Sequence, residues 1–187
     1  MTMMVEEDVL DDIVQAENDL VVEDDLILRR PVREDGHRIH SLIEACPPLD
    51  VNSVYAYMLL CEHFPSTCIV AQGLSGELDG FISGYMPPGR DDVLFVWQVA
   101  VHERARGQRL ARRMLDGLLS RPGLAQVDWI ETTVGPDNAA SRKTFSGIAQ
   151  QFDAAIRESE LFPPHLFGPA EHDDERLLRI GPLRRDR

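Results

Sequence analysis

The stretch Phe95–Met114, FVWQVAVHERARGQRLARRM, decides the reading of this chain. An apolar run ends in a short basic, glycine-bearing segment, and a helical pattern opens directly after it. A buried strand feeding such a loop leaves backbone N–H groups pointing outward at the next helix's N-terminus. Those donors, backed by the helix dipole, suit a pyrophosphate. Arg104, Arg106, Arg112 and Arg113 bring positive charge to the same place. An ordinary strand–turn–helix with a solvated arginine face carries the same pattern, and the residues alone leave both readings open.

Working outward, each neighbouring segment has a pattern of its own. Leu26–Arg30 reads as a short strand ending at Pro31, and Arg33–Cys46 carries Ile39, Leu42, Ile43 and Cys46 at helical spacing. Pro47-Pro48 stops that helix, and Asn52 or Ser53 can cap a second one running to about His63. Thr67–Gln72 and Glu77–Tyr85 read as strands joined by the turn Leu74-Ser75-Gly76, and Val93–Val101 as a long apolar strand. Gln108–Ser120 is expected to be a helix, Val127–Val134 a strand, and Pro136-Asp137-Asn138 the start of a last helix with Phe145, Ile148, Ala149 and Phe152 inward. Residues 159–175 are polar and proline-containing, and Arg176–Ile180 reads as a last strand before Gly181-Pro182. No internal repeat is visible. The order β-α-α-β-β-β-α-β-α-(β) predicts a three-layer α/β domain on a mixed sheet.

Charge divides the chain. The net charge is −13 over 187 residues, and residues 1–25 hold ten acidic side chains with no Lys or Arg. Residues 1–25 are therefore expected to be an acidic leader, 26–183 the folded domain, and 184–187 a charged end. The leader reads as a solvated, disordered arm, with a weak amphipathic helix over Leu10, Ile13, Val14 and Val21 docking on a partner as the alternative. Bulk acidity argues against nucleic acid. No apolar run approaches the ~20 residues of a membrane helix, and no secretory pattern is present. Three cysteines, Cys46, Cys61 and Cys68, without framework spacing point to a reducing cytoplasm. Cys61-x-His63-x4-Cys68 lacks the paired spacing of a zinc site, so no metal is expected.

The loop Arg106–Ala111 resembles the acetyl-CoA signature of the GNAT N-acetyltransferases, R-x-x-G-x-G/A, with Arg109 in place of its central glycine. The element order is also the GNAT order. Five longer segments resemble one family within it, the L-2,4-diaminobutyrate acetyltransferases of ectoine biosynthesis. They are PLDVNSVYAYMLLCEHF (Pro48–Phe64), FISGYMPPGR (Phe81–Arg90), LFVWQVAV (Leu94–Val101), ETTVGPDNAAS (Glu131–Ser141) and EHDDERLLRIGP (Glu171–Pro182). The resemblance spans about residues 26 to 183. It implies acetyl transfer from acetyl-CoA, as co-substrate, to the 4-amino group of diaminobutyrate, whose product is then cyclised to ectoine. Many GNAT enzymes dimerise, so a homodimer is the expectation.

Amide formation from a thioester needs a neutral amine, a stabilised oxyanion and a proton for the departing thiolate. The resemblance places Asp50, His172 and Glu175 at the substrate, with His172 and Glu175 as candidate catalytic groups; if their stretch is one helical turn, they share a face. Trp97 would wall the pocket and face the substrate cation, with Tyr55 as a further pocket candidate. Residue by residue, other roles stay open: core packing for Trp97 and Tyr55, an N-cap for Asp50, a solvated tail for Glu175. For acetyl-CoA the resemblance implies Val99 and Val101 along the strand, Arg106, Gly107, Gln108, Arg109, Leu110 and Ala111 around the pyrophosphate, and Asn138 and Ser141 on the last helix. Val99 N–H is the candidate oxyanion donor. Four residues beyond Ser141, where many GNAT enzymes carry a tyrosine that protonates the thiolate, this chain has Phe145. Cys46 or Cys61 as an acetyl-accepting nucleophile is the less favoured route, since both lie on apolar stripes without an activating base. Two other functions compete: a GNAT enzyme for another diamine or an aminoglycoside, and a non-catalytic acetyl-CoA-binding module.

Overall fold

In the strand Ile69–Gly73, Ile69 and Ala71 pack into one hydrophobic core and Val70 into a second. Alternate side chains of a strand point to opposite faces, so both faces of this sheet are buried. The computed structural model describes residues 20–23, 26–168 and 174–184. In chain order its elements are β1 (Val21–Glu23), β2 (Leu26–Arg29), α1 (Gly36–Glu44), α2 (Val54–His63), β3 (Ile69–Gly73), β4 (Leu78–Tyr85), β5 (Val93–Val101), α3 (Leu110–Leu119), β6 (Trp129–Val134), α4 (Ala139–Gln151), β7 (Ala155–Phe162) and β8 (Glu175–Gly181). The strands form one sheet in the order β1-β2-β3-β4-β5-β6-β8-β7. All neighbours are antiparallel except β5 and β6.

The helical stripes read from the sequence fill the two cores. Leu110, Met114, Leu115 and Leu118 of α3, with Phe145, Ile148 and Ala149 of α4, pack on one face. Ile39, Leu42 and Ile43 of α1, with Tyr57, Leu60 and Cys61 of α2, pack on the other. The three-layer α/β arrangement is the expected one. Two strands were not expected. β1 lies inside the segment assigned to the acidic leader, where Val21–Glu23 folds back on Leu26–Leu28. β7 has the sequence AIRESELF, and every one of its residues is exposed; a strand with no buried face has no apolar alternation to read. Residues 1–19, on which the disordered or helical leader was expected, lie outside the described residues, as do residues 185–187 of the charged end. Among the described residues no helix is long and apolar enough to cross a membrane.

Two irregularities in the sheet shape its centre. β5 and β6 pair only through Val93↔Trp129, Leu94↔Ile130 and Phe95↔Glu131. Beyond that rung the two strands diverge, leaving Val96–Val101 paired on one side alone. The second irregularity is a β-bulge. Ser83 opposes Gln98 while Gly84 opposes Val96, so Trp97 is the extra residue. Before it, Leu94 and Val96 face the α3/α4 core; after it, Val99 and Val101 do, and Ala100 faces the α1/α2 core. The face alternation of β5 reverses at Trp97.

Asp35 ties β2 to α1. Its carboxylate is buried and accepts from Arg29 at 2.6 and 3.0 Å, from Arg38 at 2.8 Å and from the Val32 N–H at 2.9 Å. Burial pushes its carboxyl pKa up, but the Arg29 hydrogen bond, the Val32 amide and the two guanidinium charges together hold it below the ordinary value. A depressed folded-state pKa contributes stability in full above the unfolded value of ~4, and that contribution is lost as pH falls through the folded one. Asp35→Asn is expected to cost about 1.5–3 kcal/mol at pH 7, by removing the charge from a buried acceptor of hydrogen bonds from two partly exposed arginines. Urea midpoints at pH 7 and pH 3 should show the difference between wild type and variant shrinking at the lower pH; an equal gap at both would mean that Asp35 does not titrate with folding.

Candidate active site

The loop after β5 is built as a cradle. Gly107 has φ 80°, and Arg109, at the N-cap of α3, has φ 57° and ψ 26°, the left-handed region in which glycine is ordinary. The conformation that a glycine would supply is thus kept with an arginine in its place. In the first turn of α3 the Arg112 N–H donates to the Arg109 carbonyl at 3.0 Å, while the Leu110 and Ala111 N–H groups come too early for an acceptor within the helix. A groove of about 820 Å3 opens from this point, lined by Val101, Arg106, Gly107, Arg109, Leu110 and Ala111 on one side and by α4 on the other. A smaller cavity of about 290 Å3 shares Val101, Arg106 and Ala111 with it and reaches Val99, Asn138, Ser141 and the loop Cys46–Leu49. Of the ten residues expected around acetyl-CoA, nine line these two spaces. Gln108 does not; its amide donates to the Arg104 carbonyl at 3.4 Å.

The arginines divide by role. Arg104 is engaged by the scaffold, donating to the Asp79 carboxylate at 2.5 Å and to the Leu78 carbonyl at 3.0 Å. Arg106 and Arg112 line the groove, and Arg106 also donates to the Val101 carbonyl at 3.3 Å. Lys143, the chain's single lysine, lines the groove as well. Sequence reasoning passed over it because a lone lysine on a helix usually marks a solvated face. Asn138 caps α4 by accepting from the Ser141 N–H at 3.0 Å.

Of the residues expected at the substrate, Trp97 lies in β5 with Asp50 beside it, and Glu175 begins β8 next to the end of β6. Trp97, at the bulge, is 43% exposed and therefore not core. Asp50 is exposed, and the helix cap is made by Ser53, whose hydroxyl accepts from the Ala56 N–H at 3.2 Å; the N-cap reading of Asp50 is replaced. Tyr55, in the first turn of α2, is exposed too. Glu175 does not sit in a helical turn. It is the first residue of β8, half-buried, opposite Phe162 and one step beyond the Val134↔Arg176 rung at the open end of β6. A helical face shared with His172 is therefore not formed from Glu175's side, and His172 itself lies outside the described residues. Neither cavity is lined by Trp97, Asp50, Tyr55 or Glu175. Strand alternation does place Glu175 with Arg179, across from Glu131 and Phe95, on the sheet face away from α3 and α4.

Sequence reasoning missed Gln98 and Tyr57. The Gln98 amide donates to the Asp50 carbonyl at 2.8 Å, and the Tyr57 hydroxyl donates to Gln98 Oε1 at 3.4 Å. It also missed Glu131, a buried carboxylate bonded by Arg90 at 2.5 Å and Arg179 at 3.0 Å on the last paired rung of β5 and β6. The three cysteines are free and buried. Burial pushes the Cys61 thiol up to about 12 and Cys68 up to about 11, and it raises Cys46 despite the neighbouring Arg106. Among the described residues no three His, Cys, Asp or Glu side chains are grouped as a metal site.

A divergent pair of parallel strands followed by a glycine-bearing helix start is a frame for binding an acylated cofactor, and comparison with known proteins gives the class. The model of the acetyltransferase (GNAT) family matches residues 36–147, from the start of α1 into α4. Two curated relatives are L-2,4-diaminobutyric acid acetyltransferases. That of Bordetella parapertussis is 58% identical over 156 residues, which cover 83% of this chain and 84% of its own. That of Halomonas elongata is 46% identical, covering 86% of this chain and 83% of its own. The solved diaminobutyrate acetyltransferase EctA from Paenibacillus lautus, in complex with L-2,4-diaminobutyric acid and coenzyme A, superposes with a TM-score of 0.81 at 39% identity, covering 88% of this chain and 99% of its own. The chain belongs to the L-2,4-diaminobutyric acid acetyltransferase family of GNAT enzymes.

This geometry sets two expected outcomes. Arg109→Gly relieves a left-handed backbone at a cost in unfolded-chain entropy, for a net gain of about 0.5–1 kcal/mol. Its melting temperature should rise by about 2 °C, and a fall would show that the guanidinium makes a stabilising contact. Titrated at pH 8 with a thiol-specific chromogenic disulfide, the native protein should release almost no colour, and the denatured chain should react at all three cysteines. A fast-reacting native thiol would reopen the nucleophile route.

Proposed function

We propose that this chain transfers the acetyl group of acetyl-CoA to the 4-amino group of L-2,4-diaminobutyrate, supplying the N-acetyl product that is cyclised to ectoine. The observation that carries this reading is the match over nearly all of a solved chain whose complex holds both diaminobutyric acid and coenzyme A. The groove from Arg106 to Ala111 suits the pyrophosphate through backbone N–H groups, and the free side of Val99–Val101 suits the amides of the pantetheine arm. Asn138 and Ser141 border the same space. Acetyl-CoA supplies a thioester carbonyl at the divergence of β5 and β6, where Val99 N–H is the oxyanion donor.

The amine is the harder half of the reaction. With a pKa near 10 it is about 0.1% neutral at pH 7, a cost of roughly 4 kcal/mol. Asp50 and Glu175 hold the ammonium group and Trp97 packs on it. A carboxylate that attracts the cation also raises its pKa, so the proton leaves through His172 or Glu175, directly or by a water relay. Phe145 stays in the core at 4% exposure, so the thiolate takes its proton from water or another group. Cys46, Cys61 and Cys68 are structural, and three free thiols suit a reducing cytoplasm. A homodimer is the expected assembly, and its support is that β7, at the edge of the sheet, exposes Ile156, Leu161 and Phe162.

A thiol-release assay with acetyl-CoA over a panel of diamines and aminoglycosides tests the substrate. Diaminobutyrate should exceed ornithine and the aminoglycosides; absence of turnover on every amine would favour a binding module. Glu175→Ala should lower kcat/KM for diaminobutyrate by about 30-fold or more, the usual loss when one member of a desolvated charge pair is removed. Asp50→Ala, at a more exposed carboxylate, should raise the diaminobutyrate KM by about tenfold. Acetyl-CoA affinity should be unchanged in both. Raising the pH should partly restore whichever variant has lost the base, because more amine is then neutral. Near-normal turnover in both would place the substrate pocket elsewhere.

A further inference from the structure

The bulge at Trp97 leaves polar groups in a buried place, and each is answered. The Gln98 N–H, opposite Ser83 and next to the bulge, donates to the Ser83 hydroxyl at 3.2 Å. Its side-chain amide donates to the Asp50 carbonyl at 2.8 Å and accepts from the Tyr57 hydroxyl at 3.4 Å. The Tyr57 oxygen in turn accepts from the Asn52 N–H at 3.1 Å. Ser83, Gln98 and Tyr57 are all buried. The Tyr57 ring is wedged edge-on between His40 at 6.1 Å and Phe81 at 6.4 Å. One rigid chain of hydrogen bonds therefore staples the loop Asp50–Asn52 to β5, next to Trp97. The Asp50 carboxylate is exposed, and its place depends on the backbone beneath it.

We propose that Tyr57 and Gln98 are positioning residues for the diamino acid: they act through the loop Asp50–Asn52 and set the Asp50 carboxylate against Trp97. This rests on Asp50 holding the substrate ammonium. Neither residue touches substrate, and their effect is on its binding. Tyr57→Phe keeps the packed ring and removes only the hydroxyl, unpairing the Asn52 N–H and leaving Gln98 one partner short. Gln98→Leu removes both side-chain hydrogen bonds of Gln98 at similar volume, to the Asp50 carbonyl and from the Tyr57 hydroxyl, and leaves the Asn52–Tyr57 bond in place.

Steady-state kinetics on the full chain test this, with Asp50→Ala as the reference. Tyr57→Phe should raise the diaminobutyrate KM by about fivefold, the effect of one net hydrogen bond, and Gln98→Leu by about tenfold. For both, kcat and the acetyl-CoA KM should stay within about twofold of wild type. In an Asp50→Ala background, Tyr57→Phe should add nothing, because residues acting through one another are not additive. An unchanged KM in Tyr57→Phe, or the same rise with and without Asp50, overturns the proposal while leaving Asp50's own role standing. A normal KM in Asp50→Ala overturns the reading of Asp50 and the positioning role with it. If Gln98→Leu does not fold, the Tyr57→Phe pair of backgrounds decides alone.

Discussion

The structure depends on two neighbouring parallel strands that stop pairing. β5 and β6 share three rungs and then part after Phe95↔Glu131. The gap leaves one side of β5 unpaired and opens the space before α3. A sheet does not open spontaneously, since every unpaired peptide group has to find another partner. Here the last rung is held by Glu131, gripped by Arg90 and Arg179, with the Arg179 guanidinium 4.3 Å above the Trp129 ring. Beyond it, the bulge at Trp97 reverses the faces of β5, so that apolar Val99 and Val101 line the opening. One buried carboxylate held by two arginines, and one extra residue, mark where pairing ends.

Much of this was legible in the residues because hydrophobic burial is periodic. β5 was read with its observed bounds, Val93–Val101, and Ile39, Leu42, Ile43 and Cys46 all became core. The loop Arg106–Ala111 was legible because a strand, a glycine and a helix start must meet there. What escaped had no period. β7 is exposed throughout, so its sequence carries charge instead of alternation, and β1 is too short and too acidic to show any. The bulge at Trp97 was invisible because it is a property of pairing with β4, and Gln98 and Tyr57 depend on it. They stand 41 positions apart and meet only in the folded chain. Glu175 closes the polar stretch 159–175 in the sequence, with a helical turn shared with His172 only as a condition; pairing with Phe162 of β7, a long-range interaction, makes it the first residue of a strand.

Charge in this protein is sorted by place. The chain is acidic overall at −13, yet the groove is bordered by Arg106, Arg109, Arg112 and Lys143, while Asp35, Asp79 and Glu131 spend their charge on arginines of the scaffold. The acidic groups proposed to meet substrate, Asp50 and Glu175, sit apart from the groove. An anionic cofactor and a cationic amine thus each approach a surface of opposite sign.

The helix start at Gly107–Ala111 has a consequence for work in concentrated salt. At about 1 M the screening length falls to ~3 Å, so arginines acting across a groove lose most of their reach. A peptide N–H in hydrogen-bonding contact with a phosphate oxygen lies inside that length, and no ion fits between them. An anion held there by backbone dipoles would stay held as ionic strength climbs. What salt takes away is steering, which slows encounter and leaves the bound complex its strength.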